Sequence, residues 1–372
     1  MAFELFSQDE YNGRLNKIRA AMQHHDLDCL YLPYGSNQYY LTGLLAQSTA
    51  QAASRVLATL VPLTGDIIFV VPSRRHKFVE KMSWVKTIRT WTFPEDPAVA
   101  VCAALSSIGA EDGIIGMDPT TPYEEVESIQ RLLPNVHFRS CSDIFQRVRL
   151  IKSEEEILQI RRAGEIADKA LGDVQTVIKE GVKEADIAAK IYSSLLDSGC
   201  EVTRVAVIVG KHPGFPEKTG QRHVEKNQLI MMFPKFTYNG YFVDITRMAM
   251  VGEPSSEERM IESAIIDSHN AASSIVKPGV TYDQVDQVGR AVLEEFGLAK
   301  FFTHGIGHGL GIDTHEPPYT RTNAILEAGM VFTIEPSIYR PGQPAMRVED
   351  TFVVTENGCD RLTNLPINIF KL

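Results

Sequence analysis

The chain repeats itself at a fixed distance. Lys179-Glu180-Gly181-Val182 returns as Lys277-Pro278-Gly279-Val280, and Leu195 and Gly199 return as Leu293 and Gly297, each pair offset by 98 residues. A constant offset held over about 20 positions marks two related half-domains, each a helix, a glycine turn and a second helix followed by strands. Duplicated α/β halves commonly share one site at their junction, built with side chains from both. The second part of the chain is therefore where chemistry is expected.

A boundary precedes the duplication. Ser153-x-x-Glu156 is a capping box, in which hydroxyl and carboxylate each satisfy a free amide at a helix start. Behind it Ile157, Ile160, Ala163, Ala167, Ala170, Val174 and Ile178 keep helical spacing. Before it, helical and strand-like patterns alternate. Residues 11–23 place Leu15, Ile18 and Met22 on one helical face, and the apolar run 29–32 stops at Pro33 as a buried strand would. Residues 57–61 and 66–71 flank a Pro62-Leu63-Thr64-Gly65 turn and predict a hairpin. The expected domains are a mixed α/β unit over 1–150 and a duplicated unit over 151–372, within a chain of 372 residues.

Charge narrows the function. Thirty-seven basic and 47 acidic residues give a net charge of −10 without a basic stripe, a poor match to nucleic-acid phosphates or anionic membranes. No apolar run approaches the roughly 20 residues that span a bilayer. The start MAFELFSQDEYNGR lacks the basic and apolar pattern of a secretory signal. The five cysteines are scattered, with no CxxC pair, which excludes a disulfide framework and fits a reducing, cytoplasmic setting.

Four segments of the second unit carry candidate chemistry. In Gly240-Tyr241-Phe242-Val243-Asp244-Ile245-Thr246-Arg247 an aspartate sits inside a strand pattern and needs a partner, because a lone buried carboxylate is strongly disfavoured. His304, His308 and His315 fall within 12 residues among glycines, in HGIGHGLG and THEPP. Glu335 ends the apolar run 331–334, and Glu349 interrupts a strand pattern over 346–354. Each alone has a bland reading: a strand carboxylate paired with Arg247 or Arg347, or a loop histidine. As a set, hard oxygen donors with one imidazole suit Mn²⁺, Fe²⁺, Co²⁺ or Zn²⁺.

With those residues in hand, the chain resembles the pita-bread metallopeptidases, a family that includes prolidase, Xaa-Pro aminopeptidase and methionine aminopeptidase, with creatinase as a metal-free relative. HGIGHGLG, THEPP, LEAGMVFTIEP and RVEDTFVVTENG carry the resemblance, and residues 1–150 are similar to the creatinase/prolidase N-terminal domain. The resemblance implies an α+β fold, with duplicated α/β halves around a curved antiparallel sheet, and a homodimer. It implies Asp244, His308, Glu335 and Glu349 as metal ligands. The family's fifth ligand is an aspartate 11 residues before the bridging one; here Phe233 stands in that place, within Met231-Met232-Phe233-Pro234-Lys235-Phe236. A phenyl ring supplies no ligand oxygen, so one divalent ion rather than two is expected. The family's loop histidine is also missing: Glu217 falls near its place, with His212 and His223 as neighbouring substitutes.

The reading that follows is a hydrolase of a C–N bond in a small molecule or dipeptide, of Xaa-Pro dipeptidase or aminopeptidase type. Glu335 would carry the proton, His315 and His304 would donate hydrogen bonds to substrate or oxyanion, and Arg347 would fix a substrate carboxylate or hold a ligand. Tyr241 would stand on the substrate side or simply pack. The alternatives are a metal-free, creatinase-like hydrolase of an amide, guanidino or cyclic-amidine compound, and a catalytically inactive peptide-binding protein.

Overall fold

The structure is a computed structural model and describes residues 5–45, 57–211 and 219–372. The chain divides into two compact units, meeting between Arg149 and Leu150.

The first unit is a six-stranded mixed sheet, its strands being β1 (Cys29–Leu32), β2 (Ala58–Pro62), β3 (Ile68–Pro72), β4 (Thr87–Trp91), β5 (Ile114–Met117) and β6 (His137–Ser140), in the order β4-β3-β2-β1-β5-β6. The expected hairpin forms as β2 and β3, with Leu60 opposite Ile68. β1, β2 and β3 are buried along their whole length, which is why their sequences read as continuous apolar runs rather than alternating ones. The helix Gln8–His24 starts on Ser7, whose side chain accepts from the Glu10 amide.

The second unit shows the repeat directly. Helices Glu184–Asp197 and Tyr282–Glu295 each have 14 residues and lie 98 apart. Each is preceded by a glycine at positive φ, Gly181 at 86° and Gly279 at 89°. The Gly181 amide donates to Val224 O and the Gly279 amide to Leu326 O, the same contact made twice. The long helices Glu154–Asp173 and Ser256–Ser274 both open on capping boxes, Ser153/Glu156 and Ser255/Glu258. The first ends earlier than its periodicity predicts, tightening to a 3₁₀ turn over Val174–Val177.

Each half carries a five-stranded sheet. One contains β7 (Glu201–Val209), β8 (Leu229–Tyr238), β9 (Tyr241–Val243), β10 (Arg247–Met250) and β18 (Phe370–Lys371). The other contains β11 (His308–Gly309), β12 (Glu316–Tyr319), β13 (Val331–Ile334), β16 (Asp350–Val354) and β17 (Cys359–Arg361). A short pair, β14 (Ser337–Ile338) and β15 (Met346–Arg347), lies beside them. An antiparallel bridge between Thr246 and Glu349 stitches the two halves together. Separate apolar clusters fill the halves, one around Ile187, Ile191 and Met232, the other around Tyr282, Phe332 and Phe352.

The structure alters one expectation about the acids. The segments of Asp244 and Glu349 read as continuous strands, but Asp244 falls in the gap between β9 and β10 and Glu349 in the gap between β15 and β16, while Glu335 follows the end of β13 as expected. At a strand break a side chain is released from strict up–down alternation, so three acids from three strands can turn toward one point.

Candidate metal centre

The breaks converge. Ligand atoms of Asp244, His308 and Glu349 all lie within 4.8 Å of one another. His308 Nε2 is 3.8 Å from Asp244 Oδ2 and 3.4 Å from Glu335 Oε1. Its Nδ1 lies 3.1 Å from the Gly309 carbonyl oxygen. A carbonyl can only accept, so Nδ1 carries the proton and the Nε2 lone pair faces the acids, the arrangement an imidazole needs to ligate. Glu335 stands beside this trio.

Reciprocal threonines hold the acids in place. The Asp244 amide donates to Thr351 Oγ1 at 3.0 Å, and that hydroxyl donates to Asp244 O at 2.9 Å. From the other half Thr246 Oγ1 donates to Glu349 Oε2 at 2.5 Å. Each threonine lies two residues beyond the acid of its own half and serves the acid of the other. His308 is set from beneath, its amide donating to Thr333 Oγ1 at 3.1 Å. The neighbouring Gly307 has to be glycine, since a Cβ there would run into the Thr333 carbonyl and the Tyr282 hydroxyl.

Burial and crowding set the charges. Burial, with the Glu349 charge second, pushes the Asp244 carboxyl up to about 7. The same two causes hold Glu335 well above the usual carboxylate range. Glu349 goes the other way: burial opposes ionisation, but Arg347 and the Thr246 hydroxyl outweigh it and keep the group low. Burial, then the neighbouring His315, brings His308 down to about 4, so its ring is neutral at pH 7. Without a cation the cluster therefore carries protons that its ligand atoms must give up to bind one.

Arg347 sits among the acids. Its Nη2 is 2.9 Å from Glu349 Oε2 and its Nη1 3.4 Å from Glu335 Oε2, while Nε donates to Thr246 Oγ1 at 2.9 Å. Its guanidinium lies 4.6 Å from the centre of the Phe233 ring. The place without a carboxylate is thus filled by an aromatic face with a cation stacked on it. Arg247 takes no part in this. It is fully buried and pairs at 2.5 Å with Asp350, which also has His269 Nε2 at 3.1 Å. Arg247 Nη1 donates to the carbonyls of Thr246 and Glu349, fixing the backbone on either side of the bridge.

The remaining expected residues divide. His315 is exposed, its ring 4.0 Å from that of His308, centre to centre. His304 is half-buried, with Nδ1 2.8 Å from Gly305 O and Nε2 2.6 Å from Ser337 Oγ, so both ring nitrogens are engaged within the protein. Tyr241 is not brought to the site: its ring is fully buried and its hydroxyl donates to Glu156 Oε1 at 2.9 Å, which ties β9 to the helix Glu154–Asp173. Packing, the bland alternative, is what the structure gives it. Glu217 and His212 lie outside the described residues, and His223 is exposed in an isolated bridge with Lys183. Sequence reasoning did not find Thr246, Thr351, Asp350 or His269. The D-x-T and E-x-T spacing after Asp244 and Glu349 was the available signal for the threonines.

The donor set fits a divalent cation, with one neutral imidazole and carboxylates pressed together at a cost that a cation would relieve.

Comparison with known proteins agrees. Residues 158–356 match metallopeptidase family M24, and residues 14–151 match the Creatinase/Prolidase N-terminal domain. The Xaa-Pro dipeptidase of Pyrococcus horikoshii is 30% identical over 363 residues, covering 95% of this chain and 98% of that one. A probable dipeptidase PepE of Mycobacterium tuberculosis is 31% identical over 374 residues, covering 98% of each. Among solved structures, a dipeptidase of Pyrococcus horikoshii has a TM-score of 0.88 at 30% identity, covering 96% of this chain and 100% of its own. A prolidase of Thermococcus sibiricus has a TM-score of 0.88 at 27% identity, covering 99% and 100%. These likenesses favour neither the metal-free hydrolase nor the inactive binding protein. The fold is the pita-bread fold, the chemistry is that of a metal-using hydrolase of the peptidase class, and the chain belongs to metallopeptidase family M24.

Proposed function

We propose that this chain is a dipeptidase of Xaa-Pro type that uses one divalent cation, Mn²⁺, Fe²⁺, Co²⁺ or Zn²⁺. The observation that carries the reading is the convergence of Asp244, His308 and Glu349 within 4.8 Å. These three hold the cation, and Glu335 is the fourth ligand once it has lost its proton. Phe233 offers no ligand atom, which supports one cation per chain. When bound, the cation supplies Lewis acidity beside the scissile amide.

The chain's own groups do the rest. Glu335, whose carboxyl lies between His308 and Arg347, would take a proton from the attacking water as its oxygen bonds to the scissile carbonyl carbon, and deliver that proton to the leaving nitrogen as the C–N bond breaks. His315, exposed and lying against His308, donates to the developing oxyanion. His304 has no free ring nitrogen and positions Ser337 at the start of β14. Arg347 pairs with both Glu335 and Glu349 and offsets part of their charge. The scattered cysteines support a cytoplasmic setting and the family resemblance supports a homodimer, which sedimentation of the purified protein would check.

Protein purified without chelators should carry close to one equivalent of metal by mass spectrometry and hydrolyse Ala-Pro. Chelation should abolish hydrolysis, and one of the four ions should restore it. Hydrolysis indifferent to chelation would overturn the reading.

A further inference from the structure

One charged group facing the site has no place in the reaction just described. Alternation along β8 sends Ile230, Met232 and Phe236 into the apolar cluster of the first half, and Leu229 and Met231 toward that of the second. Phe233 and Lys235 share the second face. Lys235 pairs across the sheet with Arg204, whose guanidinium lies 5.1 Å from the Phe233 ring on the side strand pairing dictates. Phe233 is therefore bordered by Arg204, Arg347 and Lys235.

These cations are not equivalent. Arg347 is committed to Glu335, Glu349 and Thr246. Lys235 is half-buried, and among the described residues its ammonium has neither a hydrogen bond nor an ion pair. Its positive charge is nonetheless felt at Asp244, His308, His315 and Glu349. The nearby acids are occupied with Arg347, the threonines and, when it binds, the cation. Among the described residues no anion is left for Lys235, so its ammonium is available to one supplied by a ligand.

We propose that Lys235 is a specificity residue, its ammonium pairing with the free carboxylate of the dipeptide substrate. The inference rests on the dipeptidase reading and adds which end of the substrate is read, and by which residue. It also moves the carboxylate contact from Arg347, whose donors are spent, to a lysine whose donors are not.

The test uses a non-hydrolysable Ala-Pro analogue with a reduced scissile amide, and its C-terminal carboxamide, titrated calorimetrically into the full-length metal-loaded protein. The acid should bind about 10- to 100-fold more tightly than the carboxamide, the range of a charge-assisted hydrogen bond. In Lys235→Met the preference should collapse toward one while carboxamide affinity and metal content stay unchanged. Lys235→Arg should recover most of the preference. Equal affinities in the unaltered protein, an undiminished preference in Lys235→Met, or loss of metal from that variant would overturn the proposal. If the preference behaves as expected yet no dipeptide is hydrolysed, the carboxylate contact stands and the dipeptidase reading alone falls.

Discussion

Glu335 and Arg347 share a buried corner in which a proton, a guanidinium and a cation compete for the same carboxyl oxygens. Glu335→Gln keeps the shape and removes the ability to shed the proton. Hydrolysis should fall by about 10²- to 10⁴-fold, while the cation still binds, more weakly, through Asp244, His308 and Glu349. Parallel measurement of kcat and metal content separates this from simple loss of metal. The raised carboxyls give a second consequence. Burial pushes Asp244 up to about 7 and holds Glu335 well above the usual carboxylate range, so near neutral pH the site without a cation holds protons that must leave when one enters. Apparent metal affinity should therefore weaken as the pH falls below about 7. Calorimetry at pH 7 in two buffers of different ionisation heat should report net proton release; none would contradict the arrangement.

At the scale of elements, one buried ion pair holds the loop that carries His315. Lys152 Nζ lies 2.6 Å from Glu316 Oε1, both nearly fully buried, at the mouth of β12. Lys152→Met would leave the Glu316 carboxylate buried without its cation and should cost about 3–5 kcal/mol, read from urea unfolding, with Glu316→Gln in the same background recovering part of it. Elements were also where the sequence was most legible. The capping boxes, the glycine turns and the 98-residue echo are local or periodic signals, and the structure repeats them in both halves. The end at Glu335 was legible from the run it closes, whereas the strand breaks at Asp244 and Glu349 were not visible, because β-branched residues lie on both sides of each acid and propensity sees no gap. Nor were the threonine clasps or the Arg247–Asp350–His269 cluster. These depend on which elements face each other across about 80 to 110 residues, and neither pattern nor spacing states that. Phe233 was legible as a missing ligand; that Arg347 stacks on it required the fold.

For the molecule as a whole, two units with separate cores carry different burdens. Among the described residues, the ligand atoms proposed for the cation all belong to the unit Leu150–Leu372. A cation at a hundredfold over its dissociation constant should stabilise that unit by about 2.7 kcal/mol. In calorimetric unfolding the corresponding transition should move upward while that of the first unit stays put; an equal shift of both would argue for cation binding elsewhere. The reciprocal threonines also bear on biogenesis. Synthesis runs from the amino end, and Asp244 leaves the ribosome 107 residues ahead of Thr351, whose hydroxyl grips its backbone. Any ion encountered by the nascent chain meets an aspartate with neither its clamp nor its fellow ligands. Loading must wait until Glu349 and Thr351 have emerged and folded against Asp244, so the ion acquired is chosen by a completed pocket and by whatever the surrounding fluid then supplies.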